Sequence, residues 1–540
     1  MNPSHIQWCS AKNIYHGPPV NTIAHMLSLD VNAGLSDAKT CIMATLGPST
    51  MNIDILKMMI CSGMRVARLN LSHGNYKKHK YLIDMVRQAE SQLQSDLKRP
   101  MITIALDTQG PEIRTGVLCE EKPIDLLEGE RVCLTFNPVF AYKSDRDHLY
   151  ISDDRILSTL RQGSRIFING RRICFEVTSF YGSSVECTVC MGGRLDNKQE
   201  LIIPGWDMKE IPNFVEKDYK DIEFAIDNNV DVLLLSNVRN VDMVLQAKQL
   251  IGNRDIKIIV KIEREVSLSI VDQLLNVSDG LLISRGDLGV EVPLTKLIVI
   301  QKNIIARCNV AGKPVICSTY LLRDMEKIHS PSNGEITDIA NAIIDGCDGL
   351  MLSDVTAVGP YPVKCIQTMS AVVRESEYCV FFDQYFYDIR LFNNPPLNDT
   401  LAIAIAAVEA CRDLSAKLII TLTTDGQCAR NLSKFRPNAC ILALTYKEKV
   451  ARYLNLYRSC IPVLLPSDST FEYDRNHIKS LDLNEETKKI VNFAVGVALF
   501  NDFIKHSDPI VMLTSSTNTQ GYQDVIHIIT EWEDDINDYS

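Results

Sequence analysis

The sequence predicts an α/β protein centred on a (β/α)8 barrel, interrupted by an all-β insertion and followed by a second α/β region. Three observations carry this. Eight short apolar runs, each ending in polar or charged residues, alternate with helix-length or loop segments. Between residues 117 and about 203 the hydrophobic period drops to two, with Gly, Asn and Asp turns between short runs. Beyond about residue 385 the β-α alternation returns, with its own apolar runs and no cluster of catalytic residue types. A doubly wound sheet is the competing architecture, but it seldom needs eight strands.

Residues 1–38 read as irregular and polar, with one short helix-like piece at 22–30. Strand 41–46 stops at Gly47-Pro48, helix 52–62 follows, and strand 65–70 leads to helix 79–97 and strand 101–106. Runs such as RVCLTF, ICFEVTSF and SVECTVC make up the insertion of roughly 85 residues, long enough to be a small domain. Strands are next expected at 230–236, 257–261, 280–284, 314–319 and 349–353. Between the second and third of these, Val266, Ile270, Val271, Leu274 and Leu275 recur at helical spacing. The last region reads as helix 400–412, strand 418–423, helix 428–435, strand 440–444, helix 487–505 and strands 509–514 and 524–530.

Composition narrows the function classes. A net charge of −11 argues against a nucleic acid partner, which needs a basic surface. No apolar run approaches the ~20 residues of a membrane span, and the first residues lack the apolar core of a signal peptide. Seventeen cysteines without such a signal read as reduced thiols in the cytosol. The lone pair Cys187 and Cys190 has no partner pair, and strand alternation would send its thiols to opposite faces. It reads as structural.

In a parallel barrel, ligands bind at the carboxyl ends of the strands. Those ends gather Arg68 and Asn70, with Ser72 and His73 just beyond; then Asp107 and Thr108, Lys261 and Glu263, Arg285 and Asp287, and Thr319. Two carboxylates on neighbouring strands suit Mg²⁺ or Mn²⁺. Arg68 and Lys261 suit phosphate, one as a fork and the other as a point charge. The N–H groups of Arg285-Gly286-Asp287, opening a helix, form an anion site. For one strand-helix-strand unit alone, a structural ion-pair network would be the better explanation of such charges. The whole set suits phosphoryl transfer, which depends on positioning and charge stabilisation. The chain carries no Walker-A pattern and no kinase Gly-rich loop.

The segments ATLGPST, SGMRVARLNLSHG, ALDTQGPEIRTG, KIE, SRGDLGVEVP, AGKPVICST and DIANAIIDGCDGLMLS, in this order and spacing, resemble pyruvate kinases from about Thr22 to the end of the chain. The run HMLSLD resembles the animal members. The resemblance implies an N-terminal segment (1–38), a TIM-barrel A domain (39–116 and 204–385), an inserted β-barrel lid, the B domain (117–203), and an α/β C domain (386–540). It implies phosphoryl transfer from phosphoenolpyruvate to ADP, giving pyruvate and ATP, in a cytoplasmic homotetramer or a hetero-oligomer with a sister subunit. By position, Glu263 and Asp287 would hold Mg²⁺ (or Mn²⁺), and Asn70, Ser72, Asp107 and Thr108 would hold K⁺. Lys261 would stabilise the phosphoryl in flight and the enolate oxygen, and Arg68 would bind the phosphate. Gly286, Asp287 and Thr319 would receive the carboxylate, with Thr319 near the proton that reaches the enolate. Asn70, His73 and Arg114 would lie at the nucleotide.

The departures are specific. The family's Asp-Asp-Gly in the lid is Asn169-Gly170-Arg171 here, and two of its lysines are Gln109 and Gln199. Tyr320 replaces a glutamine and Asn237 a phenylalanine; TRAE reads Ser332-Asn333-Gly334-Glu335, and SGETA reads Ser353 through Ala357. The phosphate loop of the sugar-bisphosphate site trades its Lys and Arg for the neutral run around Asp425, and the partner loop at 514–518 lacks Trp and Arg. Fructose 1,6-bisphosphate is therefore not expected to activate this protein. The intact inner set favours an active kinase. The alternative is a catalytically weakened or inactive paralogue acting as a binding or structural subunit. A 2-oxo-acid lyase or aldolase on the same barrel has no sequence feature of its own.

Overall fold

A computed structural model of the chain describes residues 38–94, 100–206, 211–465, 485–505, 508–514 and 524–530, with His25 and Leu29. Apart from His25 and Leu29, the expected helix at 22–30 lies outside the described residues, as does most of the 514–518 loop.

Eight strands form the barrel: β1 (Cys41–Thr45), β2 (Met64–Asn70), β3 (Thr103–Asp107), β4 (Val232–Leu235), β5 (Lys257–Ile262), β6 (Gly280–Ser284), β7 (Val315–Ser318) and β8 (Gly349–Leu352). All neighbours are parallel, and β8 pairs with β1 to close the ring.

Strand alternation sorts the side chains into two layers. Ile258, Val260 and Ile262 of β5 pack outward with the helices, as do Leu281 and Ile283 of β6. Ile259 and Leu282 turn inward with Met43, Val66, Ala105, Val232, Leu234, Ile316 and Met351, an apolar floor continuous with the C-terminal domain. Two residues further along six of these strands, the same inward face carries Thr45, Arg68, Asp107, Ser236, Lys261 and Ser318, all buried. The barrel is therefore plugged by apolar side chains and capped at its carboxyl mouth by polar ones.

Helices begin where local chemistry satisfies their free N–H groups. Asn52 caps Ile53–Cys61 by accepting from Asp54 and Ile55. Asn75 caps Tyr76–Gln92, so this helix starts earlier than the apolar pattern predicts. The amphipathic segment after β5 is two helices, Glu265–Ser269 and Val271–Val277, broken at Ile270. The break leaves Val266 48% exposed, while Ile270, Val271, Leu274 and Leu275 pack on the core.

The insertion between β3 and β4 folds around its own core as a mixed half-barrel. Its seven-stranded sheet runs Ile113–Arg114, Glu200–Ile202, Arg165–Ile168, Ile173–Tyr181, Ser184–Met191, Arg131–Thr135, Leu149–Tyr150. The chain enters and leaves through adjacent strands, because Glu200 pairs with Arg114 and Leu201 with Ile113. Cys187 is buried on one face of its strand and Cys190 half-buried on the other, as alternation requires. Phe167, Cys174 and Ile202 rest on Val290 of the barrel.

The C-terminal domain is a five-stranded sheet formed by β9 (Leu418–Leu422), β10 (Cys440–Thr445), β11 (Cys460–Leu464), β12 (Ile510–Thr514) and β13 (Val525–Ile529). Their order is β11-β10-β9-β12-β13, parallel except for the last pair.

Candidate active site

At the barrel mouth, Asp107 is fully buried and ties three strands together. Its Oδ2 accepts from Arg68 Nε at 2.8 Å and lies 2.6 Å from Nη2. Its Oδ1 accepts from Ser236 Oγ at 2.9 Å and lies 3.1 Å from Lys261 Nζ. Burial pushes this carboxyl up, but Lys261 and Arg68 outweigh it and hold it below the usual carboxylate range. Lys261 Nζ also donates to Ser236 Oγ at 2.8 Å and lies 2.7 Å from Glu263 Oε1. Burial disfavours the ammonium, yet Asp107 and Glu263 raise it above the usual lysine range, so it remains charged. The remaining arm of Arg68 donates to Thr45 Oγ1 at 2.8 Å.

Glu263 Oε2 accepts from the Asn237 N–H at 2.6 Å. Burial is the main reason its carboxyl is raised; Lys261 opposes the shift and the charge of Asp287 adds to it. Asp287 sits in the first turn of helix Arg285–Glu291, its Oδ2 accepting from Ser284 Oγ at 2.7 Å. Among the described residues no group of three or more His, Cys, Asp or Glu side chains is placed to hold a metal. The carboxylates of Glu263 and Asp287, at the ends of neighbouring strands, fit an Mg²⁺ or Mn²⁺ ion, which takes one or two carboxylates and completes its shell from substrate and water.

Gly286 abuts Thr319: a Cβ on Gly286 would lie 2.8 Å from Thr319 Cγ2. Thr319 itself has φ +72°, a strained setting for a β-branched residue. Arg285 braces it, donating to Ser318 O at 3.1 Å and Thr319 O at 2.6 Å while paired with Asp338 at 2.7 Å. The Arg285 side chain is thus committed to structure, and the anion-facing N–H groups at this helix start are backbone.

The other predicted residues form a second group. The Asn70 side chain accepts from the Ser72 N–H at 3.1 Å, Ser72 Oγ donates to Glu112 Oε1 at 3.0 Å, and Thr108 Oγ1 accepts from the Ser236 N–H at 3.2 Å. Arg114 pairs with Glu112 and donates to Lys198 O at 2.8 Å. His73 is exposed on the same rim; partial enclosure, then the Arg114 charge, hold its imidazole below the usual range.

Comparison with known proteins agrees with this geometry. The family description "Pyruvate kinase, barrel domain" matches residues 37–366, and "Pyruvate kinase, alpha/beta domain" matches 401–529. The chain is similar to pyruvate kinase PKLR of Rattus norvegicus, 34% identical over 94% of this chain and 88% of that one. It is similar to pyruvate kinases of Candida albicans (34%, covering 91% and 95%) and Leishmania mexicana (32%, covering 94% and 99%). The chain belongs to the pyruvate kinase family.

Against that family's pattern, the departures lie at definite places. Arg171 of the lid donates to Val292 O at 3.3 Å, and its guanidinium lies 5.5 Å from the Phe167 ring. The Tyr320 hydroxyl stands below the lid turn, 3.9 Å from where a Cβ on Gly170 would be. Ser332 and Glu335 form a capping box on helix Asn333–Ile344. Thr356 Oγ1 donates to Thr45 O at 2.9 Å, securing the loop after β8 to β1.

Sequence reasoning passed over Ser236, Glu112, Arg264 and Glu200. Ser236 was legible as the last residue of the fourth expected strand but is uncharged. Glu112 lies inside a quoted motif. Arg264 follows Glu263 directly; it is buried, donates to Asn237 Oδ1 at 2.9 Å and pairs with Glu291 at 2.8 Å. Glu200 is raised well above the usual range by burial, then by Asp287 and Glu112. No local signal could place it there, since lid docking brings it to the barrel.

Proposed function

We propose that this member of the pyruvate kinase family transfers phosphoryl from phosphoenolpyruvate to ADP, giving pyruvate and ATP in glycolysis. The observation that carries the reading is Lys261 held charged in a buried setting between Asp107 and Glu263, beside Arg68 and the helix start at Gly286-Asp287. Glu263 and Asp287 would hold Mg²⁺ (or Mn²⁺), which when bound supplies charge neutralisation at the phosphoryl oxygens. Asn70, Ser72, Asp107 and Thr108 are the oxygens for K⁺.

The protein's own groups act by position and charge. Arg68, anchored through Asp107, presents a fixed guanidinium edge to the phosphate. Lys261 stabilises charge on the moving phosphoryl and the enolate oxygen. Backbone N–H groups at Gly286 and Asp287 receive the carboxylate, and Thr319 stands near the proton that reaches the enolate. Asn70, His73 and Arg114 face the nucleotide. The working form is a cytoplasmic homotetramer or a hetero-oligomer with a sister subunit, without nucleic acid or membrane as partner; no described helix is long and apolar enough to cross a membrane.

Coupled pyruvate formation from phosphoenolpyruvate and ADP tests this. The expected result is turnover that requires both cations and falls by at least about 10² in Lys261→Met. A folded wild type that binds phosphoenolpyruvate without turnover would overturn it in favour of a binding subunit.

A further inference from the structure

The residue that contacts both Asp107 and Lys261 without carrying charge is Ser236, the residue after β4. Its Oγ donates to Asp107 Oδ1 at 2.9 Å and accepts from Lys261 Nζ at 2.8 Å. A hydroxyl has one proton to give, so donation to Asp107 turns its lone pairs toward Lys261. The lysine's three N–H bonds are then all directed, toward Asp107, Glu263 and Ser236. Only the serine fixes direction without neutralising the ammonium.

The next residue extends the grip. Asn237 has φ +53°, in the left-handed region, which aims its backbone N–H at Glu263 Oε2, 2.6 Å away. Its side-chain oxygen accepts from Arg264 Nε at 2.9 Å. Gly110 backs this turn: a Cβ there would lie 2.9 Å from Asn237 Nδ2 and 3.2 Å from Ser236 Cβ, at φ +72°. One braced turn thus holds Lys261 by a hydroxyl and Glu263 by an amide.

We propose that Ser236 is a positioning residue for Lys261 in phosphoryl transfer, and that Ser236-Asn237 sets the spacing of Lys261 and Glu263. The proposal rests on the kinase reading above. Lysine is a point charge on a flexible stem, so losing its one neutral anchor lets Nζ drift toward either carboxylate. A displacement near 1 Å at a reacting centre costs on the order of 10²-fold in rate.

The test compares Ser236→Ala with Ser236→Thr, which keeps the hydroxyl. In Ser236→Ala, kcat is expected to fall about 10- to 100-fold, while KM for phosphoenolpyruvate changes less than about threefold. The thermal midpoint should stay within about 3 °C. Ser236→Thr should recover most of the lost kcat. An alanine variant with wild-type kcat, or a threonine variant equally impaired, would overturn the proposal. Crystal structures of both variants read the same point without turnover, which separates this proposal from the activity itself. Lys261 Nζ should leave its place between Asp107 and Glu263 in the alanine variant and keep it in the threonine variant. An unmoved Nζ in Ser236→Ala would overturn the proposal whether or not the wild type turns over.

Discussion

The Lys261 ammonium lies 2.7 Å from the carboxylate of Glu263, two residues further along the same chain. This follows from strand geometry: residues 259, 261 and 263 face the barrel lumen, the first on the apolar floor and the others at its mouth. Burial and Asp287 both favour the neutral form of Glu263, so a divalent cation there would relieve two like charges at once. Glu263→Gln should therefore weaken Mn²⁺ binding by about 10- to 100-fold with the fold intact. Electron paramagnetic resonance of free Mn²⁺ measures this, and undiminished binding would remove Glu263 from the metal site.

Asp107 links Arg68 and Lys261 in a buried cluster, and removing its charge takes the carboxylate partner from Arg68 and leaves Lys261 paired with Glu263 alone. Asp107→Asn should cost about 3–5 kcal/mol at neutral pH. The pH dependence has a definite sign. This carboxyl is held below its ordinary value of 3.8, so its contribution is complete above about pH 4 and is lost as pH falls through its lower folded value. Denaturant unfolding should show the gap between wild type and variant narrowing in acid. An equal gap at both ends of the range would contradict the assignment.

Gly286 has no room for a side chain, because the Thr319 methyl group occupies that space. Gly286→Ala should push Thr319 from its strained backbone setting and lower kcat/KM for phosphoenolpyruvate about tenfold or more. Steady-state kinetics at saturating ADP would show it, and a fully active alanine variant would mean the Thr319 position is not critical.

Fructose 1,6-bisphosphate should neither activate nor stabilise the protein. In the loop after β9, Asp425 Oδ1 accepts from the Gln427 N–H at 2.8 Å, placing a carboxylate at the start of helix Gln427–Lys434. Thr423 Oγ1 accepts from the Gly426 N–H at 3.0 Å, closing the loop on itself. A sugar phosphate would meet an anion where a cation is needed. A saturable rise in activity or thermal midpoint with this sugar would refute the prediction.

What the sequence determined by itself is local and periodic. Alternation along β2, β3 and β5 placed Arg68, Asp107 and Lys261 at one edge, since side-chain direction repeats every two residues. Asn52 and Asn75 cap their helices through chemistry within three residues, although the apolar pattern placed the second start at 79 and the Asn75 cap sets it at 76. The motif order was sufficient for the family. The tertiary structure alone decided which ends meet. Ser236 reaches Lys261 because β4 lies between β3 and β5 in the closed ring. Gly286 meets Thr319 because β6 and β7 run side by side, with Ser284 level with Ser318. Glu200 feels Asp287 because the lid packs Ile202 on Val290. Such contacts depend on ring closure and domain docking, long-range packing that no local period encodes.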